Sequence, residues 1–592
     1  MSSEDSKDHV SLKPKPLSLT HHFSRTSLKR VPNVLKEYYK FLREPEMGNL
    51  AGGLPFTKSF PFNTLELSVV DSGTFSTSDS KYMAAGSTPR IHIPRTSQSC
   101  SSVRKIDLDT ALQYGGAQGY PPLYAWLKKL TNVLYHPNIP YEGGADVMID
   151  GGSADGLSKI YEVLFDHWDG EVNDVRDRQG LIVEEFVYAP PVASIQHRDV
   201  NIVPVRMDSE GMLAYGDGSL SDVLRNWDPA KGKRPHALYI IPTGQNPTSG
   251  VLSFQRRKEI YELCSEFDLI LIEDDPYWNL YYPSAQAMSM KYRGVAASAN
   301  FPTNLNHNYS TESLKGRSTG YQFLDELIPS FLSIDVDGRV IRLDTFSKTI
   351  APGCRLGWIT AQPSICEQIF RVTDGTTQQP SGFVQVIVAQ LLGEFGDPAT
   401  NASVVGSTAE ATGWGLTGWV RWLEGLRSTY ERRMIKMATI FEEHKLVPSQ
   451  GSQTEMYTFS WPMGGMFIWL KINIFNHPLI TSVDPKRLMF ALWVSCTQRP
   501  YRVLTCPGGD FAANKSIKDA EGYLFLRFCF AAVDEDVLED KSRSFIQACQ
   551  DFWAIKDPKY IDHFLREEDA MKEMTQAARD TAEVDREVVA DL

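Results

Sequence analysis

Short apolar runs alternate with longer amphipathic ones through the middle of the chain. DVMIDGG, GLIVEEFVY, HALYIIP, DLILIEDD and RVIRLDTFS each carry a short apolar core, and all but the second close on Gly, Pro, Asp or Ser. Segments such as LSKIYEVLFDHW and RRKEIYELCSEF lie between them, with apolar positions at helical spacing. Strands that are apolar on both faces belong to parallel sheets covered by crossover helices. The pattern therefore predicts an α/β domain, whose ligands sit beyond the carboxyl ends of its strands.

Other stretches break the alternation. Residues 1–45 hold nine Lys and Arg against five acids and several prolines, and read as a flexible arm. Residues 284–320 are rich in Ser, Asn, Gly and Thr without apolar period, and read as an inserted surface loop. A second small-residue insertion, 400–413, precedes WVRWLEGLRSTYERRMIKMATIFEEH, a helical pattern suited to packing. Residues 557–592 carry eleven acids against five bases and read as an acidic helix or tail.

Composition narrows the function classes. A net charge of −13 argues against a nucleic-acid surface, and no apolar run reaches the ~20 residues of a membrane span. The eight cysteines form no CxxC pair and no metal-ligand spacing, so no metal is expected and a reducing compartment is. With no signal-peptide pattern at the amino terminus, a soluble cytoplasmic protein is the expectation.

Polar residues follow the strands in a coherent set. DTFSKTIAPGCRLGW sets Lys348 after an apolar strand, with hydroxyls at Thr345 and Ser347 and a guanidinium at Arg355. Hydroxyls and an arginine bind phosphate, while a lysine amine attacks a carbonyl held beside it. In LILIEDDPYWNL, Asp274 ends a strand and Tyr277 follows; a carboxylate there suits a protonated ring nitrogen, and helix capping suits it equally. YIIPTGQNPTSG presents Asn246 in strong turn chemistry. MIDGGSADGLSK enters a helix through Gly-Gly-Ser, so Ser153 and the backbone of Ala154 could offer N–H groups to a phosphate.

Together these motifs resemble the fold-type-I aminotransferases of the aromatic amino acid, kynurenine and 2-aminoadipate group. AGGLPFTKSFPF, LQYGGAQGYPPL, PMGGMFIWLKI, VLTCPGGDF and GYLFLRFCFA extend the likeness from Asn49 to Gln550, outside the two insertions. The resemblance implies a large domain with a mostly parallel seven-stranded sheet flanked by helices, plus a smaller α+β domain. On that pattern residues 46–130 hold the amino-terminal part of the small domain and an interface segment. Residues 131–425 form the cofactor-binding domain and 426–556 the carboxyl-terminal small domain.

It further implies pyridoxal 5′-phosphate as cofactor and a homodimer. Lys348 would form the Schiff base, Asp274 would pair with the pyridine nitrogen, and Asn246 and Tyr277 would meet the ring oxygen. Tyr188 would stack on the ring, and Ser153, Ala154, Thr345, Ser347 and Arg355 would line the phosphate cup. Tyr114 would reach the site across the dimer interface. Arg527 would bind the substrate carboxylate, with Gly53 and Leu54 along the side-chain pocket. Two residues depart from the pattern: Ala154 replaces a glutamine, and Ser249 stands where a glycine is usual. The implied reaction is ping-pong amino transfer between an aromatic L-amino acid and a 2-oxo acid such as 2-oxoglutarate. Kynurenine or 2-aminoadipate transfer, and a lyase or decarboxylase on the same fold, stay open.

Overall fold

The computed structural model describes residues 13–32, 38, 41, 47, 48, 50–74, 90–134, 139–295, 318–393, 413–449 and 452–566. They fall into two compact units. The first comprises Met1–Gln245, Gly250–Tyr281 and Ser298–Thr429; the second comprises Asn246–Ser249, Tyr282–Ala297 and Tyr430–Leu592.

The first unit carries a two-stranded hairpin, β1 (Thr64–Ser68) with β2 (Arg90–Pro94), and a seven-stranded sheet. The sheet strands are β3 (Asp146–Asp150), β4 (Gly180–Glu184), β5 (Asn201–Val205), β6 (Ala237–Ile240), β7 (Ile270–Asp274), β8 (Val340–Thr345) and β9 (Gly357–Ala361). Their order is β3-β9-β8-β7-β6-β4-β5. Pairing is parallel from β5 to β8, and β9 runs antiparallel to both β3 and β8. β4, β6, β7, β8 and β9 are buried along their whole length, which is why their sequences are continuous apolar runs. Helix α1 (Ser153–Leu164) follows β3, and α2 (Phe254–Glu266) is capped by Ser253 Oγ accepting from Arg256 N.

The second unit is built on a four-stranded antiparallel sheet. Its strands are β12 (Tyr457–Phe459), β13 (Phe467–Ile472), β14 (Cys506–Pro507) and β15 (Phe525–Cys529), in the order β12-β13-β15-β14. A separate hairpin pairs β10 (Leu446–Ser449) with β11 (Ser452–Glu455). The 29-residue helix over Gly415–Glu443 matches the helical pattern of its sequence, and the division between units falls inside it.

Three expectations change. Residues 13–32 are no loose arm: Leu19 and Phe23 are buried, Ser24 N donates to Val163 O, and Leu17 N donates to Asp337 O. Their basic residues are used locally, Arg25 on Asp166 and Arg30 on Glu162. The expected 284–320 loop begins as helix α3 (Ser284–Arg293), ended by Gly294 in the left-handed region. Only Ala285 and Ser289 of that helix are buried, so it shows no apolar stripe; 296–317 lie outside the described residues. Residues 50–74 and 90–134 cluster with the first unit rather than with the smaller one. In the acidic tail, 558–566 are helical and Ile561 is buried. Residues 567–592, and 400–412 of the second insertion, lie outside the described residues.

Candidate active site

In the first unit the polar residues gather at the carboxyl ends of β7 and β8 and at the start of α1. Asp274, the last residue of β7, is only 5 % exposed. Tyr239 on β6 donates its hydroxyl to Asp274 Oδ2 at 2.7 Å, and the Ser153 hydroxyl also acts on the buried carboxyl. Burial raises the carboxyl's pKa to about 6, against the opposing hydrogen bonds from Tyr239 and Ser153. A buried carboxylate gains from a cationic group placed against it.

The neighbours of Asp274 in the chain alternate away from it, as strand geometry requires. Glu273 and Asp275 both meet Arg342, whose Nη1 lies 2.9 Å from Glu273 Oε1 and 3.0 Å from Asp275 Oδ2. Arg342 also reaches Asp344 through Nε and Nη2 at 3.0 and 2.9 Å, and all four residues are buried. This ionic cluster ties the ends of β7 and β8 together beside Asp274. Neither it nor Tyr239 was singled out in the sequence, where Glu273, Arg342 and Asp344 read simply as polar positions in apolar strands.

β8 runs into a turn holding Phe346, Ser347 and Lys348, the last half-buried. The Thr345 and Ser347 hydroxyls lie 2.8 Å apart, and Ser347 N donates to Thr345 Oγ1 at 3.1 Å. Arg355, in the left-handed region at φ 45°, turns its Nη1 toward Ser347 Oγ at 3.5 Å. Gly152 stands at φ 98° beside it, where a Cβ would lie 2.8 Å from Arg355 Nη2. The positive φ is what favours glycine there. Gly152 leads into α1, which has no side-chain N-cap, and the buried Ser153 hydroxyl lies against the Asp274 carboxyl. Two hydroxyls, a guanidinium and an uncapped helix start form an anion cradle. Thr345, Ser347 and Arg355 are thus brought together beside Gly152, which leads to Ser153 and Ala154 at the start of α1.

Tyr277 is buried in the turn after β7. Tyr188 is 40 % exposed where β4 leads into the helix Ala189–Gln196. Tyr114, Gly53 and Leu54 are left open by the single chain: Tyr114 is 56 % exposed, Gly53 is exposed with nothing within 4 Å of a built Cβ, and Leu54 is half-buried.

The second unit holds a cation and an amide. Arg527, in the middle of β15, stacks its guanidinium on Phe467 and Phe511, 4.2 and 4.6 Å from the ring centroids. Its Nη1 donates to Asn246 Oδ1 at 2.7 Å, and its buried Nε has no hydrogen-bond partner. Asn246 is buried, and Ser249 fastens its loop by donating Oγ to Phe467 O at 2.6 Å. Ser249 does so from φ 60°, which accounts for the glycine usual at this place. A planar, flanked guanidinium with an unused donor is suited to a carboxylate. The aromatic pair around Arg527 was not anticipated, although both phenylalanines lie in motifs that mark the resemblance.

Three comparisons with known proteins bear on this arrangement. The family model described as aminotransferase class I and II matches residues 109–540. An L-tyrosine:2-oxoglutarate aminotransferase of Tapinella panuoides is 31% identical over 468 residues, 78% of this chain and 76% of that protein. An aromatic amino acid aminotransferase of Schizosaccharomyces pombe is 32% identical over 462 residues, 77% of this chain and 83% of its own. Among solved structures, the aminotransferase Aro8 from Candida albicans superposes with a TM-score of 0.72 at 27% identity, covering 92% of this chain and all of that one.

Proposed function

The chain belongs to the class I and II aminotransferase family, and we propose that it moves an amino group from an aromatic L-amino acid to 2-oxoglutarate with pyridoxal 5′-phosphate as cofactor. The observation that carries the reading is Asp274: a carboxyl buried at the end of a strand paired in parallel with the one that leads to Lys348. The family is generally pyridoxal-phosphate dependent, and the donor set fits that group. Ser153, the Ala154 N–H, Thr345, Ser347 and Arg355 would hold its phosphate. Asp274 would hold the proton on its ring nitrogen, with Tyr239 fixing the carboxylate, and Tyr188 would cover the ring. Asn246 and Tyr277 would meet the ring oxygen.

When bound, the cofactor supplies an electrophilic carbonyl and a ring that accepts electrons. The chain does the rest. Arg527 binds the substrate carboxylate, its guanidinium kept flat by Phe467 and Phe511. Lys348 Nζ takes the proton from the substrate Cα and later returns one. Donor product leaves before acceptor enters, so the kinetics are ping-pong. Gly53, Leu54 and Tyr114 would border the side-chain pocket, Tyr114 reaching the site of the other copy in a homodimer. Among the described residues no helix is long and apolar enough to cross a membrane, and all eight cysteines are free thiols; both agree with the cytoplasm.

Aromatic substrates rest on the names of the relatives that span over three quarters of the chain. Those names do not favour kynurenine or 2-aminoadipate transfer, nor a lyase or decarboxylase. The test is the absorbance spectrum of the purified protein before and after phenylalanine or tyrosine. A cofactor band that shifts to the aminated form, with one equivalent of oxo acid released, is the expected result. A band indifferent to both donors would remove the aromatic substrate. No band, even with added pyridoxal phosphate, would remove the whole reading. Lys348→Ala is expected to keep the bound cofactor and lose about a thousandfold or more in turnover, as removal of a catalytic base does.

A further inference from the structure

At the opposite end of β7 from Asp274, three metal-ligand side chains converge that the reaction does not use. His21 and His22 lie in a single helical turn, Thr20–His22, within the docked segment 13–32. Asp268 stands two residues before β7, in the left-handed region at φ 54°. His21 Nε2 is 2.7 Å from Asp268 Oδ2, and His22 Nε2 is 3.2 Å from Oδ1. All three donor atoms lie within 4.8 Å of one another. Two ligands at about 2.0–2.1 Å from a tetrahedral zinc are separated by about 3.3 Å, so both imidazole–carboxylate pairs already sit close to the edge of such a tetrahedron.

The surroundings hold the three in place. Arg339 Nη1 approaches Asp268 Oδ1 at 3.4 Å and is itself fixed by Asp337 Oδ2 and Leu269 O at 2.9 and 2.8 Å. His22 is buried, and its ring stacks on that of His236 at 5.7 Å. His21 and Asp268 are open to solvent, with side chains 58% and 51% exposed, so an ion can enter.

We propose that His21, His22 and Asp268 form a site for a divalent transition metal of the zinc class, which fastens segment 13–32 to the sheet unit. Two imidazoles and a carboxylate are the ligand chemistry of zinc, with water completing the shell. Metal takes the Nε2 lone pairs, and the ring N–H moves to Nδ1. Arg339 keeps the carboxylate aimed, as partners of metal ligands commonly do.

The experiment uses the full-length, untagged protein, stripped with a chelator and titrated with Zn2+ and with Co2+. One equivalent of Zn2+ should bind with a Kd of about 1 µM or tighter. Co2+ should give visible bands without the near-ultraviolet absorption of thiolate ligation. His21→Ala and Asp268→Asn should each weaken binding at least about tenfold while leaving the cofactor spectrum and turnover unchanged. Hydrogen exchange across 13–32 should slow with Zn2+ in the parent and not in the variants. No saturation below about 1 mM, an affinity unchanged in both variants, or thiolate bands at a site such as the exposed Cys100, would overturn the proposal.

Discussion

Asp274 couples cofactor binding to pH through its own burial. With its pKa raised to about 6, the carboxyl is ionised at neutral pH and takes up a proton as pH falls through that value. A cationic ring nitrogen needs the ionised form. Affinity for pyridoxal phosphate is therefore expected to be level above pH 7 and to fall as pH drops through about 6. Tyr239 and Ser153 hydrogen-bond to the same carboxyl and Asp275 and Asp344 act on it through their charge, so its titration reports them too. Asp150, raised to about 7 by burial, lies two residues before the phosphate cradle and could produce a similar limb. Asp274→Asn separates the two. It should flatten the acid limb and cost about a hundred- to a thousandfold in turnover, read by cofactor absorbance between pH 5 and 8. An acid limb that survives would shift the effect to Asp150. Arg527 is expected to act on the other half of the reaction. Arg527→Lys keeps the charge but loses the flat fork and the stacking on Phe467 and Phe511. KM for the amino donor should rise about a hundredfold, the worth of one or two charge-assisted hydrogen bonds, with the cofactor spectrum unchanged. A rise of the same size in the cofactor Kd would instead place Arg527 near the phosphate.

Elements differ in how much their sequence discloses. β7 and β8 are legible because burial on both faces leaves nearly continuous apolar runs, closed by the polar residues that carry the chemistry. The Asn246 loop is legible as a turn, yet its fastening is not. Ser249 adopts φ 60° and is held by a hydrogen bond to Phe467 O, over 200 residues away in the chain, which no local pattern can announce. The same limit hides α3, whose buried positions are Ala285 and Ser289, and the His21–His22–Asp268 group, separated by 247 residues. Ser249 offers a direct measurement. Ser249→Ala leaves the left-handed backbone without its hydrogen bond and should lower stability by about 1–2 kcal/mol. Ser249→Gly also loses the bond but relieves roughly 1 kcal/mol of backbone cost. Thermal unfolding should rank the parent first, glycine next and alanine last. Alanine matching or exceeding glycine would show that the backbone at 249 carries no strain.

Across the whole molecule, the docked segment 13–32 changes what the chain's amino-terminal charge means. Nine basic residues among the first 45 suggest a solvated arm, but the segment is sewn to the first unit by apolar and small polar side chains. Leu19 and Phe23 are buried, Ser24 Oγ donates to Glu162 O at 2.8 Å, and Ser27 Oγ donates to Gln368 Oε1 at 3.0 Å. Arg25, by contrast, meets Asp166 with its side chain 79% exposed. Exposed pairs contribute about 0–1 kcal/mol, whereas truncating a buried leucine costs about 2–5 kcal/mol. Leu19→Ala should therefore speed hydrogen exchange at the amides of His22, Phe23 and Ser24, while Arg25→Ala should leave it unchanged within a factor of a few. The loss from Leu19→Ala has a ceiling. Once the segment detaches, it regains the conformational entropy of some twenty residues and the rest of the unit no longer feels the change. A deletion of residues 1–32 should then lower the unfolding midpoint no further than Leu19→Ala combined with Phe23→Ala. A deletion that costs clearly more would mean that the segment supports the sheet unit itself, through Leu17 on Asp337 and the Asp268 corner beside β7.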